Sequence, residues 1–290
     1  MTAPLAISTW EEARSLCPSE GVILLLGGID TGKTSLARYL WTCAPARSAR
    51  LDLDPGQGEL GPPGTLGGQV RLNRARVRRY RYFIGHSSPR GQLVRMLVGA
   101  RKLLDESRRL GARWVLIDTC GFIRREGGGA TFKAALIESL EPDLVLALER
   151  EGELEPIREQ WPGEWLRRRW RTLRPPPEIR NKSPEMRRAR RQMRFRRYFA
   201  RARTQLLPTE ELGREEAYPL LAGRLMGLLD GRGWLLALGL FEGHDPDGRL
   251  RVRTPYPHPK RVRALRAGRL VLDPETCEEI WTDPFGEPPP

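Results

Sequence analysis

The segment Gly27-Gly28-Ile29-Asp30-Thr31-Gly32-Lys33-Thr34 constrains the fold more than any other. It matches G-x-x-x-x-G-K-[ST] in full, follows the apolar run Val22–Leu26 and opens a helical stretch, Thr34–Thr42. A chance glycine-rich turn would lack that strand and helix on either side. The residue types fit one task. Glycine lets backbone N–H groups close around phosphate oxygens without a Cβ in the way, and the helix N-terminus adds a dipole that favours an anion. Gly27, Gly28, Ile29, Asp30, Thr31, Gly32, Lys33, Thr34 and Ser35 are therefore the expected nucleotide cradle. Lys33 is expected to reach the β- and γ-phosphates and to be essential for chemistry, and the Thr34 hydroxyl to ligate Mg²⁺.

Apolar strand-length runs alternate with helical patterns along the first half of the chain. Strands are expected at Gly21–Leu26, Arg50–Leu53, Tyr80–Ile84, Trp114–Ile117 and Leu144–Leu148, and helices from Ser8 to about Leu16 and at Thr34–Thr42, Gly91–Leu110 and Ala130–Leu140. Pro55–Gly68 reads as a long Gly/Pro-rich loop. This is the pattern of an α/β P-loop NTPase with a mostly parallel sheet flanked by helices. After Glu149 the pattern changes. Ile179–Arg203 reads as an Arg-rich helix, and short strands at Trp234–Phe241, Leu250–Thr254 and Leu270–Leu272 form a small β-rich C-terminal module. The expected divisions are a short N-terminal helical segment (1–20), a P-loop core (21–160), an Arg-rich segment (161–205) and the β-rich module (206–290), with the tail Glu287–Pro290 frayed.

Charge narrows the partners. The net charge is +14, and Arg167–Arg203 alone holds sixteen Lys/Arg against two acids, Glu178 and Glu185. A local basic segment on a neutral body points to a polyanion, although with 45 Arg and five Lys in the chain part of it can be a solvated surface. No apolar run approaches the ~20 residues of a membrane span, so no membrane contact is expected. The start Met1–Thr9 lacks a secretory pattern, and four scattered cysteines offer neither a disulfide framework nor a zinc site. A cytoplasmic protein is expected.

Trp114–Asp118 is an apolar strand ending in a carboxylate, so Asp118 is a candidate metal ligand, directly or through water; a strand-terminal Asp also serves as a cap or turn starter. A GTPase base-reading N-K-x-D is missing; Asn181-Lys182-Ser183-Pro184 lacks the Asp.

Four further segments come in a telling order after the phosphate loop: Leu51-Asp52-Leu53-Asp54-Pro55-Gly56-Gln57-Gly58, Gly61-Pro62-Pro63-Gly64-Thr65, Gly85-His86-Ser87-Ser88-Pro89-Arg90-Gly91 and Asp118-Thr119-Cys120-Gly121-Phe122. Together they resemble the polynucleotide 5′-hydroxyl kinases, which include the kinase subunit of the eukaryotic pre-mRNA 3′-end cleavage factor, nucleolar rRNA-processing kinases and archaeal RNA kinases. The resemblance covers roughly residues 10–205 and implies an RNA-processing transferase that moves the γ-phosphate of ATP (or GTP) to single-stranded RNA or DNA 5′ ends with Mg²⁺. It implies Asp54 as base, with Asp52 or Gln57 helping to hold metal and substrate. It also implies Pro63, Gly64 and Thr65 as a clasp over the substrate end, and Phe122, where relatives often carry Trp, as a stacking platform for the terminal base. Phe122 reads equally as core packing, and His86 as either a phosphate contact or a backbone partner. The lid motif Arg180-Asn181-Lys182-Ser183…Arg187-Arg188…Arg191 implies Arg187 or Arg191 over the γ-phosphate, with Arg180 and Arg188 on the strand's phosphates. Arg187, Arg191 and Arg194 share one helical face by spacing. Eukaryotic members carry a substantial β domain ahead of the loop where this sequence has about 20 residues, so the resemblance leaves protein partners and base specificity open. Two other readings stay open: a non-catalytic ATP-binding scaffold of an RNA-processing complex, and a regulatory NTPase.

Overall fold

In the computed structural model, which describes residues 8–73, 76–207, 213–215 and 218–280, helix α1 (Ser8–Leu16) leads into strand β1 (Gly21–Gly27), helix α2 (Lys33–Thr42) and strands β2 (Ser48–Leu53), β3 (Thr65–Arg71) and β4 (Val77–Phe83). Helix α3 (Leu93–Arg109), β5 (Trp114–Thr119), α4 (Gly129–Leu140) and β6 (Leu144–Leu148) follow. The short helices α5 (Glu155–Arg158) and α6 (Gly163–Arg169), strand β7 (Trp170–Leu173) and the 16-residue helix α7 (Pro184–Phe199) complete this part. A second sheet is built from β8 (Arg203–Leu207), β9 (Gly213–Glu215), β10 (Arg224–Leu229), β11 (Leu235–His244), β12 (Leu250–Thr254), β13 (Ala264–Leu272) and β14 (Glu279–Ile280). The Glu287–Pro290 tail lies outside the described residues.

The first sheet runs β4-β3-β2-β5-β1-β6-β7. Strands β2, β5, β1, β6 and β7 are parallel, and β3 and β4 are antiparallel additions at one edge. Apolar residues without alternation suit strands covered on both faces. Val22, Leu24 and Leu26 of β1 face the side covered by α3 and α4, through Met96, Leu103, Leu136 and Ile137. Ile23 and Leu25 face α1 and α2, through Trp10, Leu36 and Leu40. Each fully buried Leu contributes about 2 kcal/mol of transfer free energy, so the centre of the sheet is the rigid platform from which the loops at its carboxyl edge project.

Three expectations change. The loop after Pro55 ends at Gly64, because Thr65–Arg71 is strand β3. Its Gly67 and Gly68 suggested a loop, yet they answer a packing demand: a Cβ on Gly68 would lie 2.5 Å from the Tyr80 ring on the neighbouring strand. The core continues past residue 160, since β7 adds to the sheet beside β6. The lid helix is shorter than Ile179–Arg203. Ser183 Oγ accepts the Met186 amide at 3.2 Å and Pro184 occupies the first turn, a combination that starts a helix and cannot sit within one. At the other end Arg203 enters β8, paired with Thr254. Phe195 and Phe199 anchor α7 on the second sheet against Leu238 and Leu240.

Candidate active site

The phosphate loop leaves the carboxyl end of β1, the position where open parallel sheets bind ligands. Gly32 caps α2 in the left-handed region (φ 90°), and Asp30 adopts φ 53°. That backbone conformation is uncommon for a residue with a side chain, and Asp30 is tied down from three sides. Its Oδ2 accepts the Lys182 amide at 2.7 Å and the Arg187 guanidinium at 2.5 Å, and its carbonyl accepts Arg150 at 2.8 Å. The lid is thus docked on the loop, with Asp30 as its anchor. Lys33 is buried; its ammonium donates to the Gly28 carbonyl and to Thr31 Oγ1. Burial pulls the Lys33 pKa down, and the nearby Asp118 carboxylate opposes that shift.

Strands β2 and β5 bring two carboxylates side by side, with Asp52 opposite Asp118 in register. Both are about 2% exposed. Burial raises the pKa of each; Asp52 adds to the rise at Asp118, while Arg50, Lys33 and a hydrogen bond from Thr34 restrain it. The two aspartates do different work. Asp52 Oδ2 accepts the amides of Glu59 and Leu60, and Oδ1 accepts that of Asp54 at 3.2 Å. Its carboxylate holds the following loop, so in this structure it acts as a loop anchor. Asp118 Oδ1, in contrast, is buried with no hydrogen-bond partner among the described residues. An unpartnered carboxylate oxygen with the Thr34 hydroxyl alongside fits a hard cation that keeps phosphate and water as its other ligands.

Asp54 lies half-buried just past the end of β2. Its Oδ1 accepts the amides of Gly56 and Gln57, both at 2.8 Å, and its charge is felt at Lys33 and at Arg194. Gln57 Nε2 donates to the Arg187 carbonyl at 3.3 Å, and its Oε1 is buried with no partner among the described residues. The acidic loop, the lid and the phosphate loop therefore meet at one place.

The lid face read from spacing is present, but its three arginines go to three different partners. Arg187 meets Asp30. Arg191 makes a bidentate pair with Glu279 of β14 at 2.6 and 2.7 Å, so its guanidinium is held by the second sheet and not presented to the phosphate loop. Arg194 donates to the Gly61 carbonyl, senses Asp52 and Asp54, and keeps a buried Nη1 with no partner among the described residues. Because the Arg191–Glu279 pair is mostly buried, removing one partner strands the other. Glu279→Ala is expected to lower stability by about 1–3 kcal/mol, read as a drop in thermal midpoint; an unchanged midpoint would mean the pair contributes nothing net.

Other expected contacts fall differently. Pro63, Gly64 and Thr65 are buried; the Thr65 hydroxyl donates to the Pro62 carbonyl and the Gly64 amide to the Pro55 carbonyl. They brace the loop from within and offer a strand no side chain. His86 is buried, its Nδ1 accepts the Ser88 amide at 3.2 Å, and burial lowers its pKa; this is the backbone-partner alternative. Phe122 packs half-buried against the core and keeps part of its ring outward. Arg180 and Arg188 are exposed. Sequence reading missed Arg50, Glu59, Lys133 and Glu279, whose partners lie on other elements and carry no local motif.

A family model described as mRNA cleavage and polyadenylation factor CLP1 P-loop matches residues 27–201. A polyribonucleotide 5′-hydroxyl-kinase of Pyrococcus furiosus is 27% identical, with 89% of each chain aligned. One from Pyrococcus horikoshii is 33% identical over 62% of this chain and 50% of its own. Among solved structures, Clp1p in its complex with Pcf11p superposes with a TM-score of 0.68 at 15% identity, covering 90% of this chain and 76% of that one, which shows a shared fold. With the match running from the phosphate loop to the end of the lid, this nucleotide-binding chain belongs to the CLP1 P-loop family.

Proposed function

We propose that the chain is an ATP- and Mg²⁺-dependent polynucleotide 5′-hydroxyl kinase acting on single-stranded RNA or DNA ends. The observation that carries this reading is the convergence of Asp54, Lys33 and the docked lid. The Asp54 turn leads into Gln57, whose side-chain amide donates to the Arg187 carbonyl, and Arg187 is anchored on Asp30 of the phosphate loop; at Lys33 the Asp54 charge acts beside the larger one of Asp118. In the transfer, the terminal 5′-oxygen forms a bond to the γ-phosphorus, the bond from γ-phosphorus to the β–γ bridging oxygen breaks, and ADP leaves with the electron pair. Asp54 accepts the hydroxyl proton. Lys33 and the loop amides hold the phosphates, and Arg187, the lid guanidinium docked on the phosphate loop, offsets the charge spread over the equatorial oxygens. Thr34 and Asp118 would hold Mg²⁺, which supplies charge neutralisation on the phosphate oxygens when bound. Phe122 offers an aromatic surface for the end base, a contact indifferent to sequence.

The test is transfer of label from γ-labelled ATP to 5′-hydroxyl oligonucleotides, single-stranded RNA and DNA in parallel. Label on the 5′ end, dependent on divalent cation, is the expected result. ATP retained without turnover would favour the scaffold, and hydrolysis indifferent to oligonucleotide would favour a regulatory NTPase.

A further inference from the structure

Helix α4 buries the stripe Ala130, Phe132, Lys133, Leu136, Ile137 and Leu140. At Lys133 the spacing asks for an apolar residue. The lysine there is 0% exposed. Its ammonium donates to the Cys120 carbonyl at 2.7 Å, lies 3.6 Å from Cys120 Sγ, and makes no ion pair among the described residues. A buried cation without a carboxylate partner is unfavourable for folding, and a methionine or leucine would fill the same space more comfortably. Its position suggests another use.

Cys120 opens the turn that carries Gly121 and Phe122 out of β5, immediately after Asp118 and Thr119. Gly121 lies directly against the phosphate loop, where a Cβ on it would fall 2.7 Å from the Ile29 nitrogen. The turn therefore braces the cradle on one side and carries the Phe122 ring on the other. The Lys133 charge also reaches Lys33.

We infer that Lys133 is a positioning residue for phosphoryl transfer, which clamps the Cys120 carbonyl from below and so fixes the Gly121–Phe122 turn against the phosphate loop. This rests on the kinase reading of the site. The clamp is a hydrogen bond, so a neutral donor of similar reach replaces much of it while a hydrocarbon does not.

Lys133→Met and Lys133→Gln, measured beside the wild type, separate a positioning role from plain packing. The methionine variant is expected to keep or raise the thermal midpoint while kcat falls about tenfold and KM for the oligonucleotide rises, with ATP affinity within about threefold. The glutamine variant is expected to recover most of the loss. Amide hydrogen exchange across residues 119–123 and 28–31 is expected to speed up in the methionine variant and return toward wild type with glutamine. A methionine variant with wild-type kcat, KM and exchange overturns the inference, as does a glutamine variant no better than methionine. If the methionine protein does not fold, glutamine decides alone: activity within about threefold of wild type supports the clamp, and a tenfold loss overturns it. If the wild type transfers no phosphate, the kinase reading fails, and the exchange rates still decide whether Lys133 holds the turn.

Discussion

A Lys33→Met protein is expected to fold as the wild type does and to transfer phosphate at least about a thousandfold more slowly. The ammonium is the cation at the centre of the cradle, buried and bonded to the Gly28 carbonyl and Thr31. Those bonds are made within the loop itself, so the lysine is preorganised at the phosphate position and needs only to exchange a carbonyl for an anion. A buried cation acts with little solvent screening on the charge that develops in transfer, which is why the effect on rate is large. The effect on stability is small by comparison. The lysine stem is replaced by a side chain of similar length, and the desolvation of the ammonium disappears with it. What is lost is the positive neighbour of Asp118, whose pKa is already raised by burial, so that carboxyl is expected to protonate more readily in the variant. Single-turnover transfer and thermal unfolding measured on one preparation check both halves. Transfer within tenfold of wild type would remove Lys33 from the chemistry.

Much of this site is legible in the amino-acid order because its signals are local. The glycine pattern, the apolar run ahead of it and the helical spacing behind it lie within Gly21–Thr42, and all three elements form where expected. The strand that carries Asp118 near its end is equally local. What sequence reading misses is long-range pairing. Arg187 and Asp30 are 157 positions apart, and Arg191 and Glu279 are 88 apart. Helical spacing correctly puts Arg187, Arg191 and Arg194 on one face, but it holds no information on which acid each guanidinium will meet. Asp52 and Asp118 look alike as carboxylates at strand ends. Only the amides of Asp54, Glu59 and Leu60 folding back on Asp52 separate a loop anchor from an open ligand position. Gly67 and Gly68 mislead for the opposite reason: glycine is a loop signal in one dimension and a space requirement in three.

Asp54→Asn is expected to reduce kcat by about 10²–10⁴-fold with ATP affinity nearly unchanged. Asparagine is the informative substitution because Asp54 has a second task. Its Oδ1 accepts the Gly56 and Gln57 amides, and an amide oxygen can accept both, so the turn that shapes the acidic loop survives. Asp54→Ala would remove turn and charge together, and a loss of activity there would be ambiguous. Asparagine removes only the negative charge and the capacity to take a proton. A 5′-hydroxyl is a weak nucleophile near neutral pH, so losing its proton acceptor weighs on the chemical step and not on binding the nucleotide. The contrast with Asp52 sharpens the test. Asp52→Asn keeps an oxygen for the Glu59 and Leu60 amides, and because that carboxylate is committed to the loop, its effect on kcat is expected to be at least tenfold milder than that of Asp54→Asn. If the two variants lose turnover equally, or if Asp54→Asn retains more than about a tenth of wild-type kcat, the proton goes elsewhere and Asp54 shapes the loop without serving as its base.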